Sequence, residues 1–180
     1  HSSRVSIPTI CVGNLAVGGT GKTPMTEYLV SLLSAQYKVA VLSRGYGRKT
    51  RGFRLANQDD TAYTIGDEPL QIHRRFPDVP VAVCADRVRG VKRLQQLFPG
   101  LQCVILDDAY QHRKIRCGFY VLLTPYQRLY VHDHMLPWGF LRDVPSQSHR
   151  ANVIVVTKCP SDMQAIHRRI VSNALQLPSY

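Results

Sequence analysis

Short apolar runs alternate with longer amphipathic stretches along most of the 180-residue chain. The runs are continuously apolar, which is typical of parallel strands that are covered on both faces. The stretches between them repeat apolar residues at helical spacing. Strands are predicted at residues 9–12, 38–42, 81–83, 103–106, 119–124 and 152–157. Helices are predicted at residues 22–35, 68–76, 87–98 and 162–175. This order predicts an α/β fold, a mostly parallel sheet with helices on both faces.

The chain is expected to form a single domain. No internal repeat or linker divides it, and residues 125–150 are its least regular part. A chain of this size, with 44% hydrophobic residues, buries about two thirds of its unfolded surface. The five cysteines are odd in number and lack metal-ligand spacing, so reduced thiols are expected in place of a disulfide framework.

The composition indicates an anionic binding partner but does not identify which one. The formal net charge of +11 and the sequence pI of about 9.8 favour nucleotides, nucleic acid, acidic lipids or phosphorylated sugars. No apolar run reaches the roughly 18 residues that cross a bilayer, so a soluble piece is expected. The opening HSSRVSIP has neither an initiator methionine nor a signal-peptide core, so a natural start that has been removed is expected.

The segment AVGGTGKT fits a phosphate-binding loop (P-loop) between a predicted strand and a predicted helix. Alanine stands at its first position, where the strict pattern has glycine. Its three glycines tolerate positive φ, so the backbone N–H groups can converge on phosphate oxygens. Lys22 would bridge the β and γ phosphates, and the Thr23 hydroxyl would take a Mg²⁺ position. An incidental glycine-rich turn is the alternative. The predicted nucleotide-binding residues are Ala16, Val17, Gly18, Gly19, Thr20, Gly21, Lys22 and Thr23.

Two adjacent carboxylates, Asp107 and Asp108, end the predicted strand in CVILDDAYQH. Like charges at a buried strand end repel each other, and a Mg²⁺ ion would relieve that repulsion. A P-loop also needs a second metal anchor at such a strand end. The pair is therefore predicted to hold Mg²⁺, with a helix cap or a solvated turn as the alternative.

The IGDEP segment, residues 65–69, precedes an amphipathic helix. On local grounds Asp67 is interpreted as the N-cap of that helix, with Glu68 in its first turn. A second interpretation makes Asp67 the base that accepts a proton from an attacking hydroxyl, and places Glu68 near the metal. Both can hold, because a capping residue has a fixed orientation.

The TKCP segment, residues 157–160, stands where many GTPases read guanine with Asn-Lys-x-Asp. Threonine replaces the asparagine, and Pro160 replaces the aspartate that would bind the base. ATP is therefore the predicted nucleotide. A GTPase-like P-loop switch without a small-molecule acceptor remains the alternative function.

The basic segment SRGYGRKTRGFR, residues 43–54, opens directly after the second predicted strand. The carboxyl ends of parallel strands line the ligand crevice, so Arg44 and Tyr46 are expected near the nucleotide. Residues 48–54 are either part of that crevice or a solvated loop. The basic side chains of the 87–98 helix are interpreted as a solvated face.

Six motifs stand in the order and approximate spacing of one family: VGNLAVGGTGKTP, SRGYGR, GDEP, ADR, LDDAYQHR and LPWGFLRD. Over residues 8–158 the chain thereby resembles the tetraacyldisaccharide 4'-kinases of lipid A biosynthesis. The resemblance implies a P-loop kinase that uses ATP and Mg²⁺ to phosphorylate the 4'-hydroxyl of a lipid-linked disaccharide 1-phosphate. It also implies work on an anionic membrane surface, at the cytoplasmic face of the bacterial inner membrane.

The resemblance assigns roles to individual residues. It makes Asp67 and Lys22 catalytic. The residues that it places around the metal are Thr23, Glu68, Asp107 and Asp108. The residues that it implies for acceptor binding are Arg44, Tyr46, Arg87, Gln111, His112 and Arg142. The sequence departs from many relatives in having Ala109 and Tyr110 for Gly and Leu, and Trp138 and Phe140 for Ala and Pro.

Members of this family are longer, with an apolar N-terminal helix and a second lobe that holds the histidine partner of the catalytic aspartate. The chain is therefore expected to be the N-terminal core lobe of a longer protein, and slow or inactive as a kinase by itself. A monomer is expected. No nucleic-acid partner is expected either, because the charge that favours a nucleic-acid-binding ATPase comes without a recognised binding module.

Overall fold

The computed structural model describes residues 3–175, and its centre is a seven-stranded sheet. The strands of this sheet are β2 (Thr9–Asn14), β3 (Val39–Ser43), β4 (Arg54–Leu55), β5 (Val81–Val83), β6 (Cys103–Asp107), β8 (Phe119–Pro125) and β9 (Val153–Thr157). Their spatial order is β4-β5-β3-β6-β2-β8-β9. Neighbours are parallel except β4 and β5, which are antiparallel. Two further strands, β1 (Ser3–Arg4) and β7 (Ile115–Arg116), form a separate parallel pair.

Helices pack on both faces of the large sheet. They are α1 (Lys22–Ser34), α2 (Ala62–Ile65), α3 (Asp67–Arg75), α4 (Arg87–Leu97) and α5 (Ala165–Ala174). Val30 of α1 and Ile72 of α3 share one apolar core with Val12 and Ile105. Residues of α4 and α5 belong to a second core on the other face. Successive strand residues point to opposite faces, so the continuous apolar runs supply both cores, and the predicted fold class is confirmed.

Every predicted strand and helix is present, and most ends agree within two residues. The exception is α5, which begins at Ala165 where residue 162 was predicted. The sequence did not predict β1, β4, β7 or α2. These elements are two to four residues long, which is too short to carry a periodic pattern. The edge strand β4 also reverses the sheet's direction, which depends on pairing with β5 and not on its own residues.

The irregular segment after β8 lies against the P-loop. It contains two 3₁₀ helices, at Tyr130–His132 and Pro145–Arg150. Ala16 and Leu141 form an isolated antiparallel bridge, and the Val17 N–H donates to the carbonyl of Phe140 at 2.8 Å. The segment is therefore a wall of the candidate site, although its own sequence predicted only irregularity.

All five cysteines are free, which agrees with the reduced thiols expected from the sequence. Cys11, Cys84 and Cys117 are buried. Over residues 3–175, no helix combines the length and the apolar character that crossing a bilayer requires.

Candidate active site

The P-loop connects the end of β2 to the start of α1. Gly21 is the N-cap of α1, with φ of 88° in the left-handed region. Gly18 has φ of 100°, whereas Gly19 does not have the positive φ that the sequence suggested for all three glycines. Left-handed residues at these two positions turn the backbone so that the amides before α1 can face a bound anion. The loop is therefore shaped as predicted, with two special glycines in place of three.

Side chains on both sides hold the P-loop in place. The Asn14 amide, which is fully buried, donates to the Thr20 hydroxyl at 2.6 Å. The Thr157 hydroxyl at the end of β9 donates to the Thr20 carbonyl at 2.8 Å. These bonds fix Thr20 from two strands, β2 and β9, so the loop has its conformation before any ligand arrives.

Asp107 ends β6 beneath the P-loop and is fully buried. Its carboxylate accepts hydrogen bonds from the hydroxyls of Thr26 at 3.0 Å and Ser43 at 3.4 Å. Burial, followed by repulsion from Glu68, raises the pKa of Asp107 to about 6 against the lowering effect of the Thr26 bond. A buried carboxylate with a raised pKa gains most from a nearby cation.

Asp108 links three segments of the site, namely the end of β6, the start of α1 and the irregular segment after β8. Its Oδ1 accepts from Arg142 Nη2 at 2.6 Å and lies 3.9 Å from Lys22 Nζ. Arg142 Nη2 also donates to the Asn14 side chain at 2.6 Å. Asp108 has φ of 46°, a left-handed conformation that aspartate adopts more readily than most residues and that aims its carboxylate at this cluster. The predicted residues Lys22, Asp108 and Arg142 are thus brought together.

Gln111 and His112 follow the paired aspartates, but they contact protein groups. Gln111 Nε2 donates to the Asn14 carbonyl at 2.6 Å. His112 Nε2 accepts from the Arg87 backbone N–H at 3.3 Å, and burial followed by repulsion from Arg87 lowers the pKa of His112. Both side chains are half-buried at the cluster's edge. Their contact with an acceptor stays a prediction.

Arg87, at the start of α4, is 2% exposed. Its Nη1 donates to the carbonyls of Cys84 at 2.6 Å and Ala85 at 3.2 Å. The helix does have a solvated basic face, since Arg89, Lys92 and Arg93 are exposed, but Arg87 does not belong to it. Arg87 therefore binds the loop after β5 from below, and the contact with an acceptor that the family resemblance implied for it stays a prediction.

Two loops form the opposite wall. Gly45 has φ of 71°, and a side-chain carbon there would lie 2.7 Å from the Ile65 carbonyl. A carbon on Gly66 would lie 2.9 Å from the Tyr46 carbonyl. The SRGY and GDEP segments therefore pack backbone against backbone, and two glycines make that approach possible. Arg44 and Tyr46 project from this wall and are exposed, Tyr46 at 90%.

The capping interpretation of Asp67 is wrong. Helix α3 begins at Asp67 itself, Gly66 occupies the N-cap position, and no side chain caps the helix. Asp67 and Glu68 are exposed in the first turn, where a negative charge favours the helix dipole. Gly66, with φ of 95°, ends α2 and also holds the N-cap position of α3, and this junction of two helices was not visible in the local sequence. Asp67 is consequently free of the capping bond that would have occupied its carboxylate.

Part of the basic loop after β3 has a structural role. Arg48 Nη2 donates to the Gly52 carbonyl at 2.7 Å, and Arg54 pairs with the buried carboxylate of Asp60 at 2.7 Å. Residues 48–54 are therefore not simply solvated, and a contact of theirs with the ligand crevice stays a prediction. These bonds hold the loop that presents Arg44 and Tyr46.

The residues present fit a nucleotide-bound Mg²⁺ better than an all-protein metal cage. Within residues 3–175, no three His, Cys, Asp or Glu side chains are grouped closely enough to hold a metal by themselves. Mg²⁺ commonly takes one or two carboxylates and completes its shell with phosphates and water. Asp107 and Asp108 are such a pair, since burial and also the Asp108 charge raise the pKa of the Asp107 carboxyl, and a cation would offset both. The predicted ligands Thr23 and Glu68 lie in the first turns of α1 and α3.

Sequence reasoning missed Gly13 and Asn14, at the end of β2. A side-chain carbon on Gly13 would lie 2.5 Å from Tyr110 Cβ, so only glycine lets the turn after β6 cross this strand. Asn14 holds Thr20, Arg142 and Gln111 through its amide and carbonyl groups. The sequence signal that could have identified Asn14 is its position, since it is a polar residue at the end of an apolar strand and lies just before the P-loop.

The large cavities lie away from this cluster. One of about 750 Å³ lies at the amino ends of the strands, between residues 75–80 and 97–101. Two others, of about 1010 and 760 Å³, lie beside β7 and beside α5. None of the lining residues of these three cavities belongs to the P-loop, which lies at the carboxyl ends of the strands.

The chain was compared with known proteins. A family model described as Tetraacyldisaccharide-1-P 4'-kinase (LpxK) matches residues 1–178. The tetraacyldisaccharide 4'-kinase of Flavobacterium psychrophilum is 52% identical over 97% of this chain and 51% of that protein. The enzyme of that name from Bacteroides thetaiotaomicron is 48% identical over 100% of this chain and 48% of that protein.

A solved structure agrees with these relatives. The crystal structure of LpxK from Aquifex aeolicus in complex with ATP matches with a TM-score of 0.79 and 34% identity, over 87% of this chain and 50% of that one. The match shows that this chain shares the P-loop NTPase-like α/β fold of that structure. The chain spans about half the length of the curated relatives it matches. With the family model matching nearly the whole chain, the protein belongs to the tetraacyldisaccharide-1-P 4'-kinase family.

Proposed function

We propose that the protein containing this chain is an ATP-dependent kinase that phosphorylates the 4'-hydroxyl of a tetraacyldisaccharide 1-phosphate in lipid A biosynthesis. The observation that carries the proposal is the convergence of Lys22 and Arg142 on Asp108, beside buried Asp107 and the P-loop. Such a cluster suits phosphoryl transfer, which depends on positioning and on compensating phosphate charge. Family membership supports the choice of acceptor.

Residues 16–23 would hold the nucleotide phosphates through backbone N–H groups. Lys22 Nζ lies 3.9 Å from Asp108, beyond hydrogen-bond distance, so a phosphate oxygen can take its charge. Asp107, Asp108 and the Thr23 hydroxyl would hold Mg²⁺, with Glu68 near it. The bound ion would neutralise charge on the β and γ phosphates.

Asp67 is the proposed base. The 4'-oxygen of the acceptor forms a bond to the γ phosphorus while its proton passes to the Asp67 carboxylate. The bond from the γ phosphorus to its bridging oxygen breaks, and the electron pair leaves with ADP. Asp67 is exposed and is not used as a helix cap, so its carboxylate is available for that proton.

The acceptor would enter along the wall that carries Arg44 and Tyr46. Its 1-phosphate gives arginine side chains a reason to line the path, since guanidinium groups bind phosphate in bidentate fashion. Arg142 is the second arginine proposed for this role, and Gln111 and His112 are proposed beside it. Arg87 is proposed to act through the loop that it holds after β5.

A lipid-borne acceptor places the proposed reaction at a membrane, the cytoplasmic face of the bacterial inner membrane. The net charge of +11 supports attraction to an anionic surface, at about 1 kcal/mol for each basic residue near the leaflet. We propose a monomer that has no nucleic-acid partner, and that this chain is the N-terminal core lobe of the enzyme.

The proposal is tested by measuring transfer of labelled γ-phosphate to a purified disaccharide 1-phosphate by the full-length protein. Lys22→Ala should weaken ATP binding and lower turnover. Asp67→Asn should leave the ATP dissociation constant within about threefold and lower kcat by about 10² or more. Arg93→Gln, on the solvated face of α4, is the control for loss of one positive charge.

Two outcomes would overturn the proposal. One is a wild-type protein that binds ATP but leaves the disaccharide unphosphorylated. The other is GTP that competes with ATP at equal affinity and is hydrolysed without an acceptor, which would favour the P-loop switch. If Asp67→Asn only lowered the melting temperature, Asp67 would be structural and another base would be needed.

A further inference from the structure

Arg128 lies beside the P-loop and has no role in the function proposed above. It follows β8, in the turn that leads to the Tyr130–His132 helix. Its Nη2 is 3.8 Å from the point where a side-chain carbon of Gly18 would stand. Gly18 is exposed and has φ of 100°, so the guanidinium borders the open side of the phosphate loop.

Two neighbours fix the orientation of Arg128. Its guanidinium carbon lies 3.8 Å from the centroid of the Phe140 ring, a close cation–π contact. Its Nε lies 3.9 Å from Asp133 Oδ2, which attracts the charge without a hydrogen bond. Phe140 is itself tied to the P-loop, because its carbonyl accepts from the Val17 N–H. The arginine is therefore held in a defined position relative to the loop amides.

Within residues 3–175, Arg128 has an unpaired donor. Its Nε is buried and has no hydrogen-bond partner, and Asp133 Oδ2 also lacks one. The side chain is 36% exposed, and its two terminal nitrogens are not among the buried unpaired atoms. The buried Nε therefore carries the cost of an unpaired donor, whereas the terminal N–H groups face solvent and can donate to an arriving anion. A phosphate arriving at the loop would supply the missing acceptors.

Lys22 and Arg128 approach the loop from different segments of the chain. Lys22 rises from the first residue of α1, and Arg128 reaches the loop from the segment after β8. An anion between them would be contacted by two cations of different geometry, a point charge and a planar fork. Loop amides and the helix N-terminus would take the inner phosphates. The outer arginine is left for the phosphate that is transferred.

We propose that Arg128 is a catalytic residue of this chain, an arginine finger supplied in cis that contacts the terminal phosphate of the nucleotide. This inference rests on the proposed phosphoryl transfer. Arg128 gains and loses no proton in that step. It donates hydrogen bonds to the oxygens of the moving phosphoryl group, where negative charge is redistributed as the bridging bond breaks. Phe140 and Asp133 are positioning residues that orient it.

The proposal differs from a structural role in what it predicts for nucleotides of different length. An arginine that only held residues 133–140 against the P-loop would affect ADP and ATP alike. An arginine that contacts the terminal phosphate affects ATP and turnover, and leaves ADP almost unchanged. The comparison of the two nucleotides therefore separates the two roles without needing the acceptor.

The experiment uses Arg128→Gln and Arg128→Lys in the full-length protein, with Arg93→Gln as the charge-matched control away from the site. Calorimetry with ADP and with a non-hydrolysable ATP analogue gives the affinities, and transfer to the disaccharide acceptor gives kcat. For Arg128→Gln we expect a fall in kcat of at least 10²-fold. ADP affinity should change less than threefold, and ATP-analogue affinity should fall about tenfold. Arg128→Lys should recover about tenfold of the lost kcat, because it restores the charge without the fork.

The proposal is overturned if kcat for Arg128→Gln stays within threefold of wild type, or if ADP and the ATP analogue lose affinity equally. If Arg128→Gln fails to fold, Arg128→Lys and Phe140→Leu take its place. Each of these must then lower kcat while leaving ADP affinity intact. A wild-type protein without transfer activity would overturn the proposed function instead, and the ADP-to-ATP comparison would still test the contact of Arg128.

Discussion

The two walls of the candidate site are built differently. The nucleotide wall consists of the P-loop with Asn14, Asp107, Asp108 and Arg142, and its side chains hydrogen-bond to one another across strands. The second wall, which we proposed above to meet the acceptor and call the acceptor wall, consists of residues 43–47 and 66–68. Its backbone is fixed by close glycine contacts, whereas Arg44, Tyr46, Asp67 and Glu68 are exposed.

One wall holds its polar groups in fixed positions before a ligand binds, and the other keeps its side chains free to contact a ligand. A phosphate cradle works best when its dipoles are already fixed, because no reorganisation is then needed as charge develops. A wall that meets a bulky, lipid-borne acceptor needs side chains that are placed but not yet paired. Substitutions in the nucleotide wall should therefore lower the free energy of unfolding. Substitutions in the acceptor wall should mainly raise the KM for the acceptor. Four substitutions, at Gly13, Asn14, Tyr46 and His112, test this contrast.

Gly13→Ala should have the largest effect on stability. Its new carbon would stand 2.5 Å from Tyr110 Cβ, and both residues are buried. Overpacking of this kind costs about 3 kcal/mol, which lowers the melting temperature by roughly 8 °C in a domain of this size. Gly118→Ala is the control, because a carbon there meets its nearest neighbour at an ordinary 3.5 Å. Equal melting temperatures for the two variants would mean that the strand crossing is not tight.

Asn14→Ala and Tyr46→Ala compare the two walls directly. Asn14→Ala leaves the groups of Thr20 and Arg142 without their buried partner, so a loss of about 2 kcal/mol and weaker ATP binding are expected. Tyr46 is 90% exposed, so its change should stay within about 0.5 kcal/mol and raise the acceptor KM. Denaturant unfolding and steady-state kinetics provide the readouts. A Tyr46→Ala variant that lost ATP affinity would contradict the division into two walls.

The smallest expected effect is the contribution of His112 to the pH dependence of stability, a decrease in the free energy of unfolding at acid pH. Burial and the nearby Arg87 charge lower the pKa of His112 below its ordinary value in the folded protein. The unfolded chain therefore binds more protons as pH falls below about 6.5, and this group's contribution to stability is lost in that range. His112→Gln can still accept from the Arg87 N–H and should flatten that part of the pH profile. An unchanged slope between pH 7 and pH 5 would show that His112 is not the responsible group.

The sequence predicted most of the fold and of the nucleotide wall, because the signals for both lie within short stretches of the chain. Apolar runs, glycines and a Lys-Thr pair at the start of a helix carry their signal within a few residues. Asp107 and Asp108 were predicted from the end of one strand, and the structure places them beneath the P-loop, with Lys22 Nζ 3.9 Å from Asp108. The family resemblance added Arg142, which lies 34 residues from Asp108 and which its own neighbours do not identify.

What sequence could not provide depends on partners that are distant along the chain. Asp67 looked like a cap, but α2 ends at Gly66, which then holds the N-cap position of α3, so Asp67 falls inside the helix. Arg87 and its exposed neighbours in α4 have similar residue types, and only packing shows that one of them is buried. Arg128 carried no motif, because its significance arises from the approach of three separate segments to the P-loop.

By itself, then, the sequence determined the α/β class, the position of the phosphate loop and the family, because these are encoded in short-range pattern and motif. Tertiary structure decided which charged groups are paired and which are available. The pairing of Arg142 with Asp108, the isolation of Arg128 beside Gly18 and the exposure of Asp67 follow from strand order and loop packing. The physical reason is that the role of a charged group depends on its distance to other charges and on its burial. Neither quantity can be deduced from the residues next to it in the sequence.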